Sequence, residues 1–85
     1  MGSYKLLIKP SAARQIEAVP KADRLRIIRK IQALSDQPRP RGSEKLSAEE
    51  KYRVRQGPYR IIHSISDAEK TVLIVKVSHR REVYR

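Results

Sequence analysis

The sequence predicts an α+β domain: one strand, two helices, then three strands, with an antiparallel sheet covered by a helical hairpin. Three observations lead there. An apolar, β-compatible run, YKLLIK, is stopped by Pro10; an amphipathic helical period follows from Lys21; and from Lys51 the period changes to two. A chain of 85 residues can assemble only one core, so residues 1–85 are expected to form a single domain.

The elements follow in order. Tyr4 to Lys9 read as the first strand. Ser11 is placed to cap a short helix that runs to about Val19, where Pro20 breaks it. A second helix, Lys21 to about Ser35, carries Leu25, Ile28, Ile31 and Leu34 near helical spacing, with Ile27 beside them. Its other face holds Asp23, Arg26, Arg29 and Lys30, which suits a helix laid on a sheet better than a membrane or nucleic-acid helix. DQPRPRGS, residues 36–43, is a loop punctuated by Pro and Gly, and residues 44–50 read as irregular with Leu46 tucked inward. Tyr52 and Val54 then alternate with Arg53 and Arg55, giving a strand with an apolar and a basic face. Gln56-Gly57-Pro58 makes a turn, Tyr59 to Ile65 the next strand, residues 66–70 a second turn, and Thr71 to Ser78 the last strand. Loops this short imply an antiparallel meander.

Composition narrows the function. No cysteine is present, so no disulfide staples the fold and no thiolate acts as nucleophile or metal ligand; a reducing cytoplasm fits. The longest apolar stretch, Val72 to Val75, is far too short to span a bilayer, and no membrane partner is expected. The net charge of +11 points to polyanions as partners, and to an acidic protein as a second kind.

No phosphate-binding glycine loop, dinucleotide fingerprint or metal-ligand spacing occurs, so neither cofactor nor metal is expected. Any chemistry then falls to Arg, Lys, Tyr and His. These concentrate in the C-terminal half: Arg53, Arg55, Arg60, His79, Arg80, Arg81 and Tyr84. Strand parity puts Arg53 and Arg55 on one face, and the turn brings Arg60 close to them. The end of the last strand carries His79 and Arg80 toward the same sheet, in a register the sequence leaves open. Cations gathered this way repel one another, and an anion relieves the repulsion, which is the reason to expect a phosphate site.

The stretch from Lys45 to Arg85 resembles the C-terminal half of RelE-type toxins of the RelE/ParE superfamily. The likeness rests on a basic alternating strand (YRVR), the segment GPYRII and the terminal HRREVY, in an order that extends to the preceding strand and helices. It implies a type II toxin that enters the ribosomal A site and cuts mRNA as a metal-independent endoribonuclease: the 2′-hydroxyl attacks its own phosphodiester, leaving a 2′,3′-cyclic phosphate and a free 5′-hydroxyl. By this resemblance Arg60 contacts the scissile phosphate, Arg80 is a second such arginine, and Tyr84 stacks on or protonates near the reacting nucleotide. Arg53 and Arg55 stand where some members carry lysines; with Arg81 they are expected to bind substrate. An arginine stays protonated and is no general base. That role is left to His79, to Tyr84 or to no strong base, and His79 also reads as a solvated strand-end histidine.

Other residues read more plainly. His63 shares parity with Ile61 and Ile65 and is expected to be structural, as are Tyr52 and Tyr59. Arg39, Arg41, Arg26, Arg29 and Lys30 either touch ribosomal RNA diffusely or keep the chain soluble. The resemblance leaves two other functions open: a ParE-like toxin that poisons DNA gyrase without cutting RNA, and an inactive homologue that only binds antitoxin. In each case an acidic cognate antitoxin is the expected protein partner.

Overall fold

Pro10 ends one element and starts the next, because its ring fixes φ near the helical value and its missing amide is no loss in a first turn. The computed structural model describes residues 3–46 and 50–79, and over these the chain runs β1 (Lys5–Ile8), α1 (Pro10–Glu17), α2 (Lys21–Asp36), β2 (Glu44–Lys45), β3 (Lys51–Gln56), β4 (Tyr59–Ser66) and β5 (Thr71–His79). The α+β class and the order of the main elements are those expected. Ser11 is not the cap: Lys9, in extended conformation, holds that position with no side-chain hydrogen bond, and Pro10 opens the helix. Among the described residues no helix is long and apolar enough to cross a membrane.

The sheet has the order β1-β5-β4-β3-β2. β3, β4 and β5 form the antiparallel meander, whereas β1 pairs with β5 in parallel, Leu6 opposite Val72 and Ile8 opposite Ile74. The sheet is therefore mixed rather than wholly antiparallel. The physical reason is the connection: β1 is followed by both helices and three further strands before β5 is laid beside it, so no tight turn forces the pair to be antiparallel.

The helices cover one face. Ala12, Ile16 and Val19 from the α1 region join Ile27, Ile31 and Leu34 of α2, and they pack with Val54, Ile61, Ile65, Val72, Ile74 and Val77 of the sheet. The buried helix stripe, Ile27, Ile31 and Leu34, follows i, i+4, i+7 spacing, so Leu25 falls off it and is exposed, against expectation. Leu46 is also exposed, because Glu44 and Lys45 form the short edge strand β2 and carry the chain along the sheet rather than under it.

Two local features set which side chains share a face. Gly57 has φ of 58°, a left-handed value that costs glycine nothing, and with Pro58 it closes a two-residue hairpin that fixes Gln56 opposite Tyr59 and Arg55 opposite Arg60. In β5, Ile74 pairs with His63 and Lys76 with Ile62, so Val75 is an extra residue, a β-bulge. After the bulge Val77 faces the core and Ser78 lies opposite Arg60.

Candidate functional site

The face of β3 and β4 that the helices leave uncovered carries the arginines. Arg53 and Arg55 alternate with the buried Tyr52 and Val54, and Arg60 alternates with the buried Tyr59 and Ile61. Arg55 and Arg60 are register partners, while Arg53 lies opposite Ile62 on one side and Glu44 on the other. Partners across an antiparallel ladder hold their β-carbons roughly 5 Å apart, so three guanidinium groups share one small area of sheet. Lys76 lies beside Ile62 on the next strand.

Glu44 joins this face, which the sequence reading missed. Its Oε1 accepts a hydrogen bond from Arg53 Nη2 at 2.9 Å. That bond, then the fields of Arg53, Arg55 and Arg60, hold its carboxyl below the usual carboxylate range. A strand of two residues has no period to read, so only the β2–β3 pairing reveals the carboxylate among the arginines.

His79 goes elsewhere. It is the register partner of Tyr59, not of Arg60, and its ring meets the Tyr59 ring edge-on with centroids 5.3 Å apart. Consecutive residues of a strand point to opposite faces, so His79 and Arg60 lie on opposite sides of the sheet. His79 instead lines a cleft of about 210 Å³ with Gln15 and Val19 from the α1 side. The expectation that it converges with Arg60 is corrected accordingly. Arg80, Arg81 and Tyr84 lie outside the described residues.

His63 is wholly buried, stacks on Tyr52 at 5.9 Å and sets Nε2 2.8 Å from the carbonyl oxygen of Pro38, to which it donates as the Nε2–H tautomer. Burial lowers its pKa, opposed by the Pro38 bond and reinforced by the nearby charge of Arg39. It holds the proline-rich loop.

Arg39 holds the same loop by a second route. Its Nε donates to the Tyr52 hydroxyl at 3.0 Å, its Nη2 to Glu50 at 3.0 Å and to Asp67 at 2.9 Å, and its Nη1 to Asp67 at 3.2 Å. Tyr52 donates in turn to Glu50, and Tyr4 to Asp67. The bonds from Arg39, followed by those from the tyrosines, lower the pKa of both carboxylates. Arg39 thus links the loop after α2 to the start of β3 and to the β4–β5 turn, a structural part that neither of its expected roles foresaw.

A family model described as the ParE toxin of type II toxin-antitoxin system, parDE, matches residues 6–84. Toxin RelG of Mycobacterium tuberculosis (strain ATCC 25618 / H37Rv) is 41% identical over 34 residues, a match spanning 40% of this chain and 39% of that protein. Among solved structures, the toxin-antitoxin complex RelBE2 of Mycobacterium tuberculosis contains a chain similar at a TM-score of 0.80 and 27% identity, over 92% of this chain and 99% of that one. The archaeal RelE-RelB complex from Pyrococcus horikoshii OT3 gives 0.81 and 26%, over 92% and 96%. The isolated E. coli RelE toxin, at 20% identity and a TM-score of 0.80 over 95% of this chain and 90% of that one, shares the fold. With a toxin-family pattern running from β1 past the end of β5, and the same fold in each of these structures, the chain belongs to the ParE toxin family of type II toxin-antitoxin systems, within the RelE/ParE superfamily.

Proposed function

We propose that this toxin is a ribosome-dependent mRNA endoribonuclease. The observation that carries the reading is the gathering of Arg53, Arg55 and Arg60 on the uncovered face of one hairpin. Transesterification needs positive charge on the developing phosphorane, and guanidinium groups that stay protonated supply it. In the proposed step the 2′-oxygen bonds to phosphorus and loses its proton, the bond from phosphorus to the 5′-oxygen breaks, and that oxygen takes up a proton. Arg60 contacts the scissile phosphate; Arg53 and Arg55 bind flanking phosphates. Arg80 is a second arginine on the phosphate and Tyr84 stacks on or protonates near the reacting nucleotide, as the resemblance implies, while Arg81 binds substrate beside them. His79, on the helix side of the sheet, is left out of the reacting set. Because arginines supply no strong base, productive orientation of the 2′-oxygen falls to the ribosome, so isolated RNA is cut poorly. Metal and cofactor have no part in the scheme, and the ribosome as target sets the site of action in the cytoplasm.

The partner proposed for the resting state is an acidic antitoxin. Two of the similar chains come from toxin-antitoxin complexes, and a net charge of +11 favours an acidic segment over a neutral one.

A second reading, a toxin directed at DNA gyrase, is favoured by the family model that matches, which bears the name ParE. One experiment separates the two. The purified chain is added to a translating extract, and the 5′ ends of the mRNA are mapped. Codon-phased cuts that vanish with Arg60→Ala support the nuclease; intact mRNA with gyrase-linked breaks in plasmid DNA supports the alternative.

A further inference from the structure

We infer that Glu44 is a built-in counter-anion for Arg53, seated where a nucleic-acid phosphate binds and displaced by it. The inference rests on the reading of the β3–β4 arginine face as a phosphate-binding surface, and it adds an internal competitor to that surface.

The other described carboxylates with visible ion pairs are engaged elsewhere. Glu50 and Asp67 are held by Arg39 at the far end of the hairpin, and Asp23 pairs with Arg26 on α2. Glu44 alone among these lies in register with an arginine of the basic face. Its 2.9 Å bond to Arg53 is charge-assisted, the geometry a phosphate oxygen would adopt on the same guanidinium.

The contact is built to be exchanged rather than kept. The Glu44 side chain is 55% exposed, on a strand of two residues at the sheet edge. Exposed pairs add little to stability, and so short a ladder opens at small cost. The Arg53 side chain is only 26% exposed, and its Nε is buried with no hydrogen-bond partner among the described residues. The strand fixes the arginine, and the carboxylate is the movable member. A lone weak anion gains little by displacing Glu44. A strand of phosphates engages Arg55 and Arg60 as well, and outcompetes it. Glu44 therefore acts as a threshold that favours polyanions over single anions and moderates binding to stray nucleic acid.

The test uses the full chain and a fluorescent oligoribonucleotide methylated at every 2′-oxygen, which binds without being cut. Binding is titrated over a series of salt concentrations for wild type, Glu44→Gln, Arg53→Ala and the double variant, with Glu17→Gln on α1 as a control for loss of one negative charge. Each variant is melted to check its fold, with Arg53→Gln in reserve should Arg53→Ala unfold. Glu44→Gln is expected to bind at least about threefold tighter than Glu17→Gln. Its slope of log affinity against log salt should steepen by about 0.7, the release of one further counterion from a single strand. Without Arg53 that gain should vanish. Equal affinities for Glu44→Gln and Glu17→Gln, a gain that survives the loss of Arg53, or no binding by any variant would each overturn the inference. Codon-phased cutting in an extract with no Glu44 effect sinks the counter-anion alone. A Glu44 effect without cutting sinks the nuclease alone.

Discussion

Arg55 and Arg60 face each other across the β3–β4 ladder, side by side on the surface that the helices leave uncovered. Like charges in directly opposed positions destabilise a sheet, so their pairing is a cost that folding alone does not explain. Arg55→Thr should raise Tm by a few degrees, in line with about 0.2–1 kcal/mol for a cross-strand pair, while weakening binding to single-stranded RNA. Thermal melts and anisotropy titrations on the same preparation check both arms. A variant that gains stability with no loss of binding would detach Arg55 from the phosphate face.

Arg60→Ala should lower codon-phased cutting in a translating extract by at least about tenfold, or roughly 1.4 kcal/mol of transition-state stabilisation. Thermal melts of the same variant separate a loss of cutting from a loss of fold. Cutting at the wild-type rate would remove Arg60 from the reacting set and leave the fold as described.

Arg39→Ala should lower Tm by roughly 4–8 °C, the shift that ~1 kcal/mol produces in a domain of this size. Arg39→Lys should recover only part of the loss, since an ammonium cannot span Tyr52, Glu50 and Asp67 as a planar fork does. Glu50 and Asp67 have lowered folded pKa values, so their contribution is full above the unfolded carboxylate range, about 4, and is lost as pH falls through the lowered values. The gap in Tm between wild type and Arg39→Ala should accordingly close in acid. A constant gap down to pH 2 would contradict the network.

His63 gives a different pH signature. Its folded pKa lies below the unfolded value of about 6.5, so the folded state binds fewer protons between the two. Its contribution is complete above about 6.5 and declines as pH drops from there toward the folded pKa. His63→Gln keeps an Nε2 donor for the Pro38 carbonyl but does not titrate. Melts between pH 5 and pH 7.5 should show a slope in wild type that the variant lacks; equal slopes would place the titration elsewhere.

The meander was legible because Tyr52, Val54, Ile61 and Ile65 alternate with polar residues, and because Gly57-Pro58 can form few turns other than the one observed. The same alternation puts Arg53 and Arg55 on one face, and the short turn sets Arg60 beside them. What escaped depends on pairing rather than period. Glu44 meets Arg53 only through a two-residue strand. Arg39 finds Asp67 and Glu50 at sequence separations of 28 and 11, for which no local pattern exists. His79 escaped for a subtler reason: counting by twos from Val72 sets it on the uncovered face, and the one extra residue, Val75, turns it to the other. The parallel placement of β1 was likewise hidden, since its four residues read the same in either direction of pairing.

The Arg39 cluster and the arginine face occupy opposite ends of the same hairpin. Asp67 follows the last residue of β4, while Arg60 is its second, and six steps of roughly 3.4 Å separate Arg60 from Ser66. Cations and carboxylates largely cancel near Asp67, whereas guanidinium groups collect near Gly57. Among the described residues, the β3–β4 hairpin consequently carries a lengthwise separation of charge, with its positive end at the Gly57 tip. In a strong negative field that separation favours approach by the hairpin tip, so that productive collisions become a larger share of all encounters, an advantage that added salt would erase.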